Sequence, residues 1–201
     1  MPLPPGFVDE LAAAVGEAYV LTAAEDLATY DCDGLTGWRA QPACVVLPGS
    51  VEDVQAVLRL CAREGIPFVA RGAGTGLSGG ALPVADGIVV SVARMCRVLD
   101  IDLESERVVV EPGVANLDVT RAVAADGYFY APDPSSQQVC TIGGNVAENS
   151  GGAHCLKHGF TVNHVTGAKV VLPDGELVDE SGRKRHRRDP TGACPQRIDH
   201  R

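Results

Sequence analysis

Three glycine-rich segments hold the residues whose types and spacing could do chemistry. The first is Arg71-Gly72-Ala73-Gly74-Thr75-Gly76-Leu77-Ser78-Gly79-Gly80, directly after a predicted strand. Five glycines in ten residues permit positive φ and leave main-chain amides uncovered by side chains. Successive bare N–H groups curl into an anion nest, and a pyrophosphate suits such a nest. Thr75 and Ser78 add hydroxyl donors, and Arg71 adds positive charge. The bland alternative is a flexible loop, but ordering so many glycines to no purpose is an entropic cost without return. The second segment is Pro132-Asp133-Pro134-Ser135-Ser136, and the third runs from Thr141 through Gly143, Gly144, Asn145, Asn149, Gly151 and Gly152 to His154. Each alone says little. Together, three small and polar segments suggest walls of one extended cleft for a long, phosphate-bearing ligand.

Other chemistries fit less well. Gly74 to Gly79 matches G-x-G-x-x-G, and Asp100 follows about 20 residues on, the layout of a dinucleotide fingerprint. That fingerprint must open a helix, whereas Pro83, Gly87 and Ile88-Val89-Val90 make the next segment a turn and a strand. No Gly-Lys-Ser/Thr exists, so an ATP-type phosphate loop is excluded. His154, Cys155 and His158 offer three potential metal ligands in five residues, but no distant fourth, and packing or cofactor contact explains them better. Nothing singles out one of seven cysteines as a nucleophile, and no carboxylate pair has acid–base spacing. No catalytic residue and no metal ligand is assigned.

Mixed helix and strand must position these segments. A short N-terminal helix covers Leu11 to Val15, and Ala43–Leu47 reads as a strand closed by Pro48-Gly49. Ser50 with Asp53 three residues on is a capping-box start; Val54, Val57, Leu58 and Cys61 recur at helical spacing, and Gly65 stops the helix. Ile66–Ala70 completes a βαβ unit. Strands are expected at Gly87–Val92, Val98–Ile101 and Val108–Glu111, and a second helix from Asn116, a good N-cap, to Gly127. Val165–Leu172 and Glu176–Val178 flank a Pro173-Asp174-Gly175 hairpin turn.

At 201 residues and 45% hydrophobic content the chain buries a core without a metal or disulfide staple. A net charge of −9 argues against a general nucleic-acid binder. Seven cysteines, an odd number with no C-x-x-C pair, read as reduced thiols of a cytosolic protein. No run approaches the ~18 apolar residues of a membrane span. The first basic residue is Arg39, so the basic start of a secretory or transit signal is missing, and a cytoplasmic location is expected. Residues 179–201 differ: seven basic against four acidic residues, net +3, while the preceding 178 carry net −12. This tail, with the run Arg183-Lys184-Arg185-His186-Arg187-Arg188, is predicted to be disordered, a solvated tail rather than a nucleic-acid patch.

Arg71–Gly80 followed by Ala81-Leu82-Pro83, together with Thr141–Gly152, resembles the FAD-binding half of the glycolate oxidase D-subunit and D-lactate dehydrogenase family. That family has the vanillyl-alcohol oxidase-type (p-cresol methylhydroxylase-type) FAD fold. Tyr30–Thr36 and Val45-Val46-Leu47-Pro48 resemble its N-terminal region, and the similarity runs from about residue 20 to about 178. The resemblance implies an α+β FAD-binding domain over residues 1–178, with one lobe over about 20–100, another over about 101–178, and FAD between them. It implies that Arg71, Gly72, Gly74, Thr75, Gly76, Leu77 and Ser78 meet the pyrophosphate. Pro132, Asp133, Pro134 and Ser135 lie along the cofactor, and Gly143, Gly144, Asn145, Asn149, Gly151 and Gly152 approach the flavin ring and ribityl chain. The family reaction is dehydrogenation of a 2-hydroxy acid, a hydride passing to the flavin. Relatives that attach the flavin through a histidine use this first loop; residues 71–80 hold none, so non-covalent FAD is expected. His158 stands where the resemblance implies tyrosine. After Val178 the family continues into a further glycine motif and a cap domain carrying the catalytic groups. The chain is therefore expected to be a module lacking that half, with a frameshifted ending as the hypothesis. It would act with a separately encoded C-terminal half or other oxidase subunits, or be a non-catalytic flavin- or nucleotide-binding remnant, or an inert fragment too incomplete to hold FAD.

Overall fold

In a computed structural model of the chain, residues 3–180 and 194–200 are described. Contacts divide the chain into two compact units: Met1–Arg94 with Val171–Val178, and Met95–Val170 with Asp179–Arg201.

The first unit opens with α1 (Phe7–Val15), then β1 (Val20–Leu21), α2 (Ala24–Leu27), β2 (Cys44–Val46), α3 (Val51–Glu64), β3 (Phe68–Arg71) and β4 (Ile88–Ser91). Phe7, Leu11 and Val15 recur every four residues on α1 and are buried together with Val57, Leu58 and Cys61 of α3. Ser50 caps α3 by accepting from the Asp53 amide at 3.1 Å, and Asp53 reaches back to the Gly49 amide at 2.8 Å, one residue earlier than the capping box predicts. Gly65 ends the helix at φ 65°, in the left-handed region, as expected. The sheet order is β1-β2-β4-β3. Helix α3 does connect two parallel strands, but β4 inserts between them and runs parallel to both. All residues of β2 and β4 are buried: Cys44, Val46, Ile88 and Val90 face one apolar cluster, and Val45 and Val89 the other, with Leu27. A strand covered on both faces needs an unbroken apolar run, which is what the sequence supplies there.

In the second unit β5 (Val98–Asp102) and β6 (Arg107–Val110) form an antiparallel pair, followed by α4 (Asn116–Val123), β7 (Tyr128–Phe129), α5 (Ile142–Glu148) and α6 (Cys155–His158). Its core holds Val108, Val110, Val114, Val119, Val123, Tyr130 and Ile142. Strands β8 (Lys169–Val171) and β9 (Leu177–Asp179) form the expected ribbon around Asp174-Gly175.

Two local expectations change. Asn116 does not cap α4: Ala115 takes that position, and Asn116, 1% exposed, turns its amide inward. In the third glycine segment, given no element from sequence, Thr141 caps α5 by accepting from the Gly144 amide at 3.2 Å. The disorder predicted from residue 179 does not extend to the end. Strand β10 (Cys194–Arg197) pairs with β6 and β11 (Asp199–His200) with β7, and Ile198 is fully buried in the second core. The alternation that puts Ile198 inward is too short to register against a basic flank. The run Arg183–Arg188 lies outside the described residues. Among the described residues no helix is long and apolar enough to cross a membrane.

Candidate cofactor-binding site

The first glycine segment is the connection from β3 to β4. Arg71 is the last residue of β3 and its carbonyl accepts from the Val92 amide at 3.0 Å, while Ile88 at the start of β4 donates to the Pro67 carbonyl at 3.0 Å, so both ends of the loop are pinned to the sheet. Its guanidinium is turned under the loop: Nη1 donates to the carbonyls of Cys32 at 2.7 Å and Ala81 at 3.1 Å, and the group lies 5.4 Å from the centre of the Tyr30 ring. Arg71 is 8% exposed and, among the described residues, bridges no carboxylate. A buried cation held by carbonyl dipoles and an aromatic ring, with no carboxylate bridging it, keeps much of its field for whatever lies above it.

Above it the chain turns at Gly74, at φ 69°. A Cβ at Gly74 would overlap the Arg71 guanidinium, so both the dihedral and the close approach require glycine. Among the described residues, the main-chain amides of Ala73, Gly74, Thr75, Gly76, Leu77 and Ser78 donate to no protein acceptor. Six successive donors without a protein acceptor, beside a buried guanidinium, are the groups an anion nest would require. Leu77 and Ser78 are exposed, while Gly72, Thr75 and Gly76 are partly covered.

The loop is braced by a segment the sequence reading quoted but gave no role. Gly34 donates to the Gly76 carbonyl at 2.9 Å, and a Cβ on Gly34 would stand 2.8 Å from the carbonyl oxygens of Thr75 and Gly76. Asp33, 5% exposed, accepts from the amides of Leu35 and Gly79. The available signal was the Asp33-Gly34 pair itself: a carboxylate among apolar and small residues, followed by the one residue type that admits close backbone approach.

In the second unit the other two segments come together. The buried Asn116 side chain donates to the Pro132 carbonyl at 2.9 Å and accepts from Asn145 Nδ2 at 2.8 Å, tying α4, the 132–135 loop and α5. Pro132 and Pro134 are buried, and Ser135 is exposed. Asp133 reaches the 151–154 loop: its carboxylate lies 2.6 Å from His154 Nδ1 and accepts from the His154 amide at 3.3 Å. Several glycines here have neighbours in the protein itself. A Cβ on Gly143 would meet Pro112, one on Gly151 the Phe160 ring and one on Gly152 the Asp133 backbone, while Gly144 lies over the Thr141 hydroxyl. Asn149 closes α5 at φ 49° and accepts from the Val162 amide at 3.0 Å. His154, Cys155 and His158 do not converge: His154 turns to Asp133, and the His158 ring meets Phe129 edge-on at 5.9 Å. Among the described residues no group of three or more His, Cys, Asp or Glu is placed to hold a metal ion.

An α+β fold with an amide-lined loop between parallel strands defines a class, and comparison with known proteins identifies it. The chain belongs to the FAD binding domain family, whose pattern matches residues 42–181. Glycolate oxidase subunit GlcD of Escherichia coli (strain K12) is 51% identical over 159 residues, covering 79% of this chain and 32% of that protein. The D-lactate dehydrogenase of Anaerostipes hadrus is 39% identical over 140 residues, covering 70% of this chain and 29% of that one. The family resemblance read from the two glycine motifs is thus borne out. Among solved structures, p-cresol methylhydroxylase matches with a TM-score of 0.78 at 20% identity, over 100% of this chain and 45% of that one. Alkyldihydroxyacetonephosphate synthase matches with a TM-score of 0.84 at 20% identity, over 99% and 41%. The fold class is the expected p-cresol methylhydroxylase-type α+β fold. The chain spans about a third of the length of the curated relatives it matches.

Proposed function

We propose that this chain is the FAD-binding module of a flavin-linked dehydrogenase or oxidase of 2-hydroxy acids, glycolate or D-lactate. The observation that carries the reading is the run of six free amides from Ala73 to Ser78 above the buried Arg71 guanidinium. These groups fit the cofactor's most demanding feature, two adjacent phosphates that need several donors and positive charge without a large side chain in the way.

Gly72, Gly74, Thr75, Gly76, Leu77 and Ser78 would hold the pyrophosphate, with Thr75 and Ser78 adding hydroxyl donors. Arg71 acts from beneath, through its field and by fixing the loop. Pro132 to Ser135, Gly143 to Asn145, Asn149, Gly151 and Gly152 would line the remainder. Bound FAD supplies the hydride acceptor. The absence of histidine from residues 71–80 supports non-covalent binding. A separately encoded half or another oxidase subunit would supply the substrate groups. A cytoplasmic location accords with the free thiols of the described cysteines.

The test is flavin retention. Protein purified with FAD should be yellow, acid precipitation should release the flavin to the supernatant, and Arg71→Ala with Gly74→Val should abolish retention. Unchanged retention in that double variant would move the pyrophosphate elsewhere. Turnover of D-lactate or glycolate with a dye acceptor would make the chain self-sufficient; yellow protein without turnover would assign it the binding half alone.

A further inference from the structure

The single tryptophan of the chain, Trp38, is 70% exposed, on a loop whose backbone is braced at every turn. At the loop's base, Ala40 donates to the Asp31 carbonyl at 2.8 Å, and Arg39 Nη1 lies 2.7 Å from both oxygens of the Asp31 carboxylate. At its tip, Trp38 donates to the Leu35 carbonyl at 3.4 Å. Between them, Asp33 and Gly34 are bonded directly to Gly79 and Gly76 of the amide-lined loop. The tryptophan loop and the glycine loop are therefore one braced unit. Their apolar side chains nevertheless point outward: Leu35 is 43% and Leu77 68% exposed, and a Cβ on Gly34 would touch Leu77 Cδ2.

A backbone held this firmly normally serves to bury its largest side chain, because an exposed tryptophan leaves well over 100 Å² of apolar surface in water. An ordered but uncovered indole is preorganised for a flat partner, since little freedom remains to be lost on contact. The amides of residues 73–78, on the loop that Asp33 and Gly34 brace, would take a phosphate. A ligand satisfying both carries a heteroaromatic ring attached to its diphosphate.

We infer that Trp38, with Leu77, is the stacking face for a heteroaromatic ring of the dinucleotide whose diphosphate the amide loop holds. This rests on the proposed function and adds a determinant of affinity to it. Adenine and isoalloxazine share the required chemistry, and either can stack on an indole.

The experiment measures, by calorimetry on the full chain, the affinities of FAD, ADP, FMN and inorganic pyrophosphate for the native protein, Trp38→Ala and Trp38→Phe. Stacking of this kind predicts a loss of about tenfold or more in FAD affinity for Trp38→Ala. Trp38→Phe should recover most of it, and pyrophosphate affinity should stay the same. A parallel loss for ADP but not FMN assigns adenine, and the reverse assigns isoalloxazine; both uphold the inference. FAD affinity equal in the native protein and Trp38→Ala overturns it while leaving the proposed function standing. A native protein that binds no FAD overturns the proposed function, and this inference with it. Emission of the native protein is the second measurement, free of any folding effect: indole fluorescence that FAD, ADP and FMN all leave unchanged also overturns the inference.

Discussion

The Asp33 carboxylate is bonded to the Gly79 amide at 2.8 Å, across 46 residues of sequence, and its other oxygen accepts from Leu35 at 2.8 Å. One nearly buried side chain thus fixes the far end of the glycine loop to the segment before the sheet. It also satisfies Gly79, which separates the run of open donors over residues 73–78 from the turn that follows.

Replacing Asp33 with Ala should cost about 1–3 kcal/mol of stability, the usual penalty for stranding two part-buried donors. FAD retention should weaken as well, because the loop loses its anchor. Urea unfolding with and without FAD separates the two effects. A variant as stable as the parent would mean the Gly79 contact is incidental.

At Gly74 the backbone and the packing forbid a side chain for independent reasons. Gly74→Ala places a Cβ in the left-handed region, at roughly 1–2 kcal/mol, and drives it into the Arg71 guanidinium. Gly72→Ala, at a position without positive φ, should be milder in both stability and flavin affinity. Equal effects at the two positions would show that loop shape is not what binds.

Asn145 and Asn116 form a buried amide pair at 2.8 Å. Asn145→Leu removes the donor and leaves the Asn116 oxygen unsatisfied in the core, predicting a loss of about 1–3 kcal/mol. The double variant with Asn116→Leu also frees the Pro132 carbonyl, so it should not recover full stability. Thermal unfolding of the two single variants and the double variant measures the coupling.

Burial pushes the Cys44 thiol up to about 12 and the Cys61 thiol to about 11, from an ordinary value of 9.0. Folded protein therefore keeps both protonated where the unfolded chain ionises, and stability should fall as pH rises from 9 towards 11 and 12. Alkylation by iodoacetamide at pH 8, read by mass spectrometry, should modify the exposed Cys96 and spare Cys44 and Cys61. Equal labelling would mean the core opens on the timescale of the reaction.

What could be read without coordinates was local. The Ser50 cap, the Gly65 stop, the apolar runs of β2 and β4 and the glycine density of residues 71–80 each record a constraint acting over a few residues. The family followed from the resemblance of two such motifs to those of known proteins. The partners could not be read, because contacts between distant residues leave no period in the chain. Insertion of β4 between β2 and β3, the Asp33–Gly79 brace, the inward turn of Asn116 and the return of residues 194–200 to β6 and β7 are choices made by packing. The composition of residues 71–80 determined that main-chain amides would lie uncovered by side chains; the tertiary structure decided how the loop is held, by turning Arg71 beneath it and bonding Gly79 to Asp33, because those contacts join residues far apart in the chain.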